Sequence, residues 1–272
     1  MSAIVITDLD GTLLGHEDFG FAAIRDDILD LVAAGISIIP NSSKTRAEID
    51  IFCRQLGVRL PFICENGAAL VNAGLLSSDG MTVMPDRIVA GRSVDELMSA
   101  WITAVDPELR RFCVFIDALE RHEQTAILGL SGDDLDRALS REYSVLFGFD
   151  GNEGSFAELC RQADVAGLSV HRGGRVCCLS GQHDKSTFTS LIRDCCGSDH
   201  AAPPMIGFGD SENDVAMLCA VDVACVVPRP GAPVLTLPHP PQTVIIAPQP
   251  APAGWIIAAN QAFAAVHQTR EM

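Results

Sequence analysis

The sequence predicts an α/β fold in three layers, a mostly parallel sheet between helices, with an α+β segment inserted into it. Three observations predict this. Short β-branched runs alternate with stretches of helical period at both ends of the chain. Those runs stop at polar residues with chemical potential, as buried parallel strands do at their carboxyl ends. Across residues 82–180 the alternation gives way to mixed helices and shorter strands. The expected division is a core domain of residues 1–81 and 181–272 and an inserted α+β domain of residues 82–180.

Ile4-Val5-Ile6-Thr7 reads as a buried strand that stops at Asp8-Leu9-Asp10-Gly11-Thr12, leaving two carboxylates at one strand tip. From Phe21 to Ala34, Ile24, Ile28, Leu31 and Val32 recur at helical spacing, and Gly35 supplies the stop. Ile36-Ser37-Ile38-Ile39-Pro40 is a second strand, which a right-handed crossover makes parallel to the first. It ends at Asn41-Ser42-Ser43-Lys44. Thr45-Arg46-Ala47-Glu48 then has capping-box spacing, opening a helix with Ile49, Phe52, Cys53 and Leu56 on its apolar face. Pro61-Phe62-Ile63-Cys64 is a third strand, ending at Glu65-Asn66-Gly67.

In the inserted segment, helices are predicted over Val94 to Val105, Asp133 to Tyr143 and Ser155 to Ala166, and strands at 112–116, 168–171 and 176–179. Gly173-Gly174 between alternating runs predicts a two-residue hairpin turn. The α/β pattern resumes with a helix beginning at Lys185 and running through Phe188, Leu191, Ile192 and Cys195. Met205-Ile206-Gly207-Phe208 is a strand that stops at Gly209-Asp210-Ser211-Glu212-Asn213-Asp214, followed by a short helix and a strand at 223–227. The Pro-rich span 228–252 reads as a surface loop interrupted by a strand at Val244-Ile245-Ile246. Trp255 to Val266 closes the chain as a helix, and no internal repeat is visible.

Composition narrows the function. With 48% apolar and 20% charged residues over 272 positions, the chain has the makings of a full core. A net charge of −16 disfavours nucleic acid and anionic membranes as partners, which would need a basic face. No signal-length apolar segment precedes Asp8 and no span has bilayer-crossing length, so a cytoplasmic protein is expected. The ten cysteines form no Cys-x-x-Cys, sit within apolar patterns or adjacent pairs, and are expected to be reduced. The seven histidines carry no zinc-site spacing.

Two acids at one strand tip can divide labour, one attacking and one shuttling protons. A carboxylate nucleophile suits phosphoryl transfer, which needs a cation to offset charge on the phosphoryl oxygens. Asp210 and Asp214 end another strand and could complete a magnesium site with Asp8 and Asp10; four acids gathered without a cation would repel one another. Ser42 precedes a helix N-terminus and reads equally as an anion donor or a plain N-cap. Lys185 reads alone as a surface lysine and, in this company, as a cation for the phosphate. Taken alone, Asp8-Leu9-Asp10-Gly11 reads as a turn about as readily as a catalytic tip.

In order, these motifs resemble those of the haloacid dehalogenase superfamily: Asp8-Leu9-Asp10-Gly11-Thr12, Ser42, Lys185 and Gly209-Asp210-Ser211-Glu212-Asn213-Asp214. The resemblance implies a Rossmann-like core, Asp8 as nucleophile and Asp10 as general acid and base. It also implies Mg²⁺ held by the Asp8 carboxylate, the Asp10 carbonyl and Asp210 with Asp214 close behind, and phosphate held by Ser42 and Lys185. The insertion resembles the C2-type cap of Cof-like sugar phosphatases, which sets specificity. A closer resemblance is to mannosyl-3-phosphoglycerate phosphatases, carried by Ser43-Lys44-Thr45-Arg46-Ala47-Glu48, Pro61 to Gly67, Arg141-Glu142-Tyr143-Ser144, Gly173-Gly174-Arg175, Asp184-Lys185 and Gly254-Trp255. It implies a small phosphorylated sugar-acid as substrate. Ser43 and Lys44 are expected beside the phosphate, and Glu65, Asn66, Arg141, Gly174 and Arg175 at the substrate. Arg175 reads equally as a solvated turn residue or as a guanidinium aimed at a carboxylate. The chain departs from that family's pattern at Val145-Leu146, at Ser186 and in its Pro-rich tail, which bears on the sugar more than on the chemistry.

Overall fold

The computed structural model describes residues 3–76, 84–196 and 202–271. The elements run β1 (Ile4–Thr7), α1 (Arg25–Ala33), β2 (Ser37–Pro40), α2 (Arg46–Leu56), β3 (Phe62–Cys64), β4 (Ala69–Val71) and β5 (Arg87–Val89). They continue through α3 (Val94–Ala104), α4 (Pro107–Arg110), β6 (Cys113–Phe115), α5 (Arg121–Leu128), α6 (Gly132–Leu139), β7 (Ser144–Phe149), α7 (Glu153–Val165), β8 (Leu168–Arg172) and β9 (Cys177–Gly181). The last run is α8 (Thr189–Cys196), β10 (Met205–Gly209), α9 (Val215–Cys219), β11 (Val223–Val226), β12 (Thr243–Ile246) and α10 (Ala253–Glu271).

The chain divides into two compact units. One comprises Met1–Ser43, Ile51–Ile88 and Asp184–Met272, the other Lys44–Asp50 and Val89–His183. The seam expected between 81 and 82 falls outside the described residues. In the first unit a five-stranded sheet has the order β12-β11-β10-β1-β2. All four pairings are parallel, with Thr7 opposite both Phe208 and Pro40 and Gly209 opposite Val226. This is a central parallel sheet with helices; β1, β10 and β11 are buried throughout, whereas edge strand β12 exposes Val244 and Ile246. From β1 the chain moves outward to β2 on one side, and from β10 to β11 and β12 on the other. β1 and β10 therefore flank the switch point, outside whose strand ends ligands bind in such sheets.

Ile4, Ile6, Ile39, Met205, Ala224 and Val226 of these strands pack with Phe188, Ile192, Met217 and Leu218 in one apolar cluster. On the closing helix, fully buried Trp255 lies 5.0 Å from the Phe208 ring, and its indole N–H donates to Thr7 Oγ1 at 3.0 Å. Thr7 Oγ1 in turn donates to the Asp8 carbonyl at 2.8 Å, so α10 fixes the tip of β1. The second unit is an antiparallel sheet of order β6-β7-β9-β8. Trp101, Phe115 and Phe147 interlock in its core with Leu97, Leu159 and Leu179. Among the described residues no helix is long and apolar enough to cross a membrane.

Several local expectations are corrected. β3 pairs antiparallel with β4 in a sheet of its own and meets the end of β2 only through the bridge Asn41↔Ile63. Consecutive positive φ angles at Glu65 (48°), Asn66 (58°) and Gly67 (99°) turn the chain back there. Lys185 begins no helix: Asp184 Oδ1 accepts from Ser186 N at 2.7 Å and Oγ at 2.6 Å, closing a turn that delays α8 to Thr189. The helix expected to reach Tyr143 ends at Leu139, where the Ser140 hydroxyl satisfies the Arg137 carbonyl at 2.7 Å. The hairpin at Gly173 has a four-residue loop, because the last β8–β9 pair is Arg172↔Cys177 and Gly173 N donates to Val176 O at 2.9 Å. Helices α4 and α5 and strands β4, β5 and β7 are additional to the expected elements.

Candidate active site

Because β1, β2, β10 and β11 are parallel and in register, their carboxyl ends open side by side. The residue after β1 is Asp8, after β10 Asp210, and after β2 Asn41 and Ser42. Gly209 and Val226 are register partners, so the loop carrying Arg229 leaves the sheet at the same edge.

At this edge lies a fully buried lysine. Lys185 Nζ donates to Asp8 Oδ1 at 2.5 Å and to Asp214 Oδ1 at 2.6 Å. Its side chain is 1% exposed, against 8% for Asp8 and 0% for Asp214. An ammonium in such a place costs several kcal/mol of desolvation, which only close carboxylates offset. Burial pulls the Lys185 pKa down, but Asp214 and Asp8 reverse this and hold the ammonium charged above its ordinary range. The loop is pinned as well: the Asn41 side-chain amide donates to the Lys185 carbonyl at 2.7 Å.

The three carboxylates divide their work. Asp214 Oδ2 accepts from the N–H groups of Asp210 and Ser211, each at 3.0 Å, and so braces the loop after β10. Asp210 accepts from Thr12 Oγ1 at 3.0 Å on Oδ1 and from the Arg229 guanidinium on Oδ2. Burial raises its pKa, partly offset by Arg229. For Asp8, burial dominates: it pushes the carboxyl up to about 7 against the pull of Lys185, and Asp214 and Asp210 add to the rise.

One oxygen from each of Asp8, Asp210 and Asp214 lies within 4.8 Å of the others. Three carboxylates face two cations, Lys185 and Arg229, leaving net negative charge for a divalent cation with a preference for hard oxygen ligands. Two glycines make the room. A Cβ on Gly11 (φ +83°) would stand 2.8 Å from Asp210 Oδ2, and one on Gly209 would stand 2.4 Å from the Asp214 Cβ. Three hard oxygen donors gathered in this way suit a divalent metal ion.

The structure thus brings together Asp8, Lys185, Asp210 and Asp214. Asp10 lies two residues beyond Asp8, in a bridge with Leu14. Ser42 is buried at the tip of β2, its carbonyl accepting from Asn66 N at 2.9 Å, with Ser43 next to it. Lys44 pairs with Glu48 at 3.8 Å, beside the Thr45–Glu48 capping box that the spacing predicts. Glu65 is 2% exposed, and Asn66 accepts from Asn213 Nδ2 at 3.1 Å. Non-glycine residues with positive φ store strain, and two in succession at a strand tip are held only by such contacts. Arg141, Gly174 and Arg175 lie in the other unit. There Arg141 donates to Ser144 Oγ at 2.9 Å, and the Arg175 guanidinium donates to the Leu128 carbonyl.

Sequence reasoning missed Arg229 and Asn41 as site residues. Their signal was positional: each follows a parallel strand at the same edge as Asp8 and Asp210. Reading 228–252 as a Pro-rich surface loop hid Arg229.

Residues 5–83 match the family of haloacid dehalogenase-like hydrolases. The resemblance to the haloacid dehalogenase superfamily is borne out. Two relatives share its length. The chain is 29% identical over 238 residues to a glucosyl-3-phosphoglycerate/mannosyl-3-phosphoglycerate phosphatase of Methanococcoides burtonii, covering 85% of this chain and 86% of the relative. It is 28% identical over 234 residues to a protein of the same description from Persephonella marina, covering 83% and 85%. In fold it is similar to a haloalkanoate-superfamily phosphatase from Bacteroides thetaiotaomicron, with a TM-score of 0.65 at 18% identity over 97% of this chain and 96% of that one. A Thermotoga maritima protein gives 0.61 at 12% identity over 95% and 97%. The acidic tips and the buried lysine belong to the parallel-sheet unit.

Proposed function

We propose that the chain is a Mg²⁺-dependent phosphatase that hydrolyses mannosyl-3-phosphoglycerate to mannosylglycerate and phosphate. The observation that carries the chemistry is the buried Lys185 ammonium bound to Asp8 and Asp214 beside Asp210. It holds a carboxylate nucleophile and a charge for the phosphate at one point. The substrate rests on the two relatives, whose names carry both the mannosyl and the glucosyl ester. The glucosyl ester is therefore the second reading.

In the first half-reaction Asp8 attacks phosphorus, the P–O bond to the substrate breaks, and Asp10 gives its proton to the leaving alkoxide. The phosphoryl group then sits on Asp8. In the second, Asp10 takes a proton from water, whose oxygen attacks phosphorus. The bond to Asp8 breaks, phosphate departs and both aspartates are restored. Lys185 has three N–H donors, two of them already on Asp8 and Asp214, and the third is left for a phosphoryl oxygen. Ser42 and Ser43 at the tip of β2 are the hydroxyl donors for the same group, with Lys44 following them. Asp8, Asp10, Asp210 and Asp214 would hold Mg²⁺, which would supply charge neutralisation to the transferring phosphoryl group. Residues 82–180 act as the cap domain, with Arg141, Gly174 and Arg175, together with Glu65 and Asn66, contacting the sugar-acid. The net charge of −16 speaks against a nucleic-acid or membrane partner, and a small anionic substrate relies on local cations such as Lys185. A cytoplasmic location goes with it.

The test is phosphate release, with Mg²⁺ and with EDTA, from mannosyl-3-phosphoglycerate, glucosyl-3-phosphoglycerate, 3-phosphoglycerate and a hexose phosphate. The highest kcat/KM is expected for the mannosyl ester. Preference for the hexose phosphate, or conversion to an isomeric phosphate without release, would move the chain to a sugar phosphatase or a phosphosugar mutase. No turnover of any ester would mark it as a binding protein.

A further inference from the structure

Arg229 is not among the residues that the sequence motifs single out, yet it holds a buried carboxylate of the site. Its guanidinium pairs with Asp210 Oδ2, where Asp210 is 0% and Arg229 37% exposed at the side chain. The other Asp210 oxygen is taken by Thr12. The stem of the arginine loop is fixed, because Val227 N donates to the Gly209 carbonyl at 2.9 Å and Pro228 and Pro230 restrict the backbone around it. The freedom in this loop is in the arginine side chain, which is long and partly solvated.

We propose that Arg229 is a positioning residue that occupies Asp210 in the cation-free protein and yields it when a divalent cation binds, an inference resting on the reading of the acidic trio as a metal site. The geometry favours exchange over sharing. Both Asp210 oxygens already have a donor, Thr12 on Oδ1 and Arg229 on Oδ2, so a cation reaching Oδ2 meets the guanidinium there. Two positive charges on one buried carboxylate oxygen repel strongly. Until the cation arrives, the guanidinium offsets a charge that would otherwise stand beside Asp214 and Asp8 unopposed. Once displaced, Arg229 remains tethered at the strand edge where the phosphate is expected.

Exchange and support have opposite consequences for metal affinity. If Arg229 must leave, its loss removes a competitor and binding tightens. If it orients Asp210 around a bound cation, its loss weakens binding, as with outer-shell partners generally. Mn²⁺ titration followed by the electron paramagnetic resonance of free Mn²⁺, on wild type, Arg229→Ala, Arg229→Lys and Asp210→Asn, separates the two. Exchange predicts Mn²⁺ bound at least fivefold more tightly by Arg229→Ala, with Arg229→Lys between it and wild type and Asp210→Asn strongly weakened. It also predicts a lower melting temperature for metal-free Arg229→Ala and an unchanged one at saturating Mn²⁺. Equal or weaker Mn²⁺ binding by a folded Arg229→Ala protein overturns the exchange while leaving the metal site intact. Wild type that binds no Mn²⁺ overturns the metal reading, and the exchange with it.

Discussion

Replacing Lys185 by Met keeps roughly the length and volume of the side chain and removes the charge that two buried carboxylates share. Those carboxylates are 8% and 0% exposed, and each lies within 2.6 Å of the ammonium. Breaking a buried pair by deleting one partner costs about 3–5 kcal/mol. In a chain of this size that is a fall in Tm of roughly 6–20 °C, at about 2–4 °C per kcal/mol. The pH dependence follows from Asp8. Its pKa is raised from 3.8 to about 7, so its ionisation costs stability in the wild-type protein as pH rises through that window. Lys185 limits the rise, and removing it lifts the Asp8 pKa further. The deficit of Lys185→Met relative to wild type should therefore be smaller near pH 5, where Asp8 is protonated in both proteins, and larger near pH 8. Urea unfolding of the metal-free proteins, followed by the fluorescence of Trp101 and Trp255, measures it at both values. A deficit below about 1 kcal/mol at pH 8, or one equal at the two pH values, would refute the buried triad as the organising interaction.

Divalent metal binding should track the same carboxyl. A cation competing with the Asp8 proton binds about tenfold more tightly per pH unit from 5.5 to about 7 and levels off above, and a pH-independent Mn²⁺ titration would contradict this. Gly67→Ala should cost at least about 3 kcal/mol and disturb Lys185, because its Cβ would fall 1.8 Å from the Asp184 carbonyl oxygen at a φ of +99°. Gly174→Ala meets nothing within 4 Å and should stay within about 0.5 kcal/mol of wild type by the same denaturation measurement.

The parallel core was legible because β1, β2 and β10 are short apolar runs that stop at Asp8, Asn41 and Asp210. In a sheet buried on both faces, composition alone marks such a run. What the runs do not carry is pairing. β3 resembles β2 in composition yet turns back on β4 through left-handed Glu65, Asn66 and Gly67; Asn-Gly announces a turn there but not the strand it leads to. β7, Ser144–Phe149, begins just past the helix expected to end at Tyr143, and its apolar run Val145-Leu146-Phe147 has no polar alternation to mark a strand. For Lys185, the sequence pointed to the charge but not to its setting. The lysine sits in a turn closed by Asp184 and is fully buried, whereas a lysine read from sequence is exposed by default. Arg229 lay in a segment dominated by Pro, and only the register of β10 with β11 reveals that its loop leaves the sheet beside Asp210.

The most direct test of the account is phosphate release from p-nitrophenyl phosphate in Mg²⁺ by wild type and by Asp8→Asn, an isosteric change at the proposed nucleophile. The account predicts Mg²⁺-dependent turnover by wild type and a loss of about a thousandfold or more in Asp8→Asn, since the covalent route through Asp8 is closed. Asp8→Asn turnover within tenfold of wild type would contradict it.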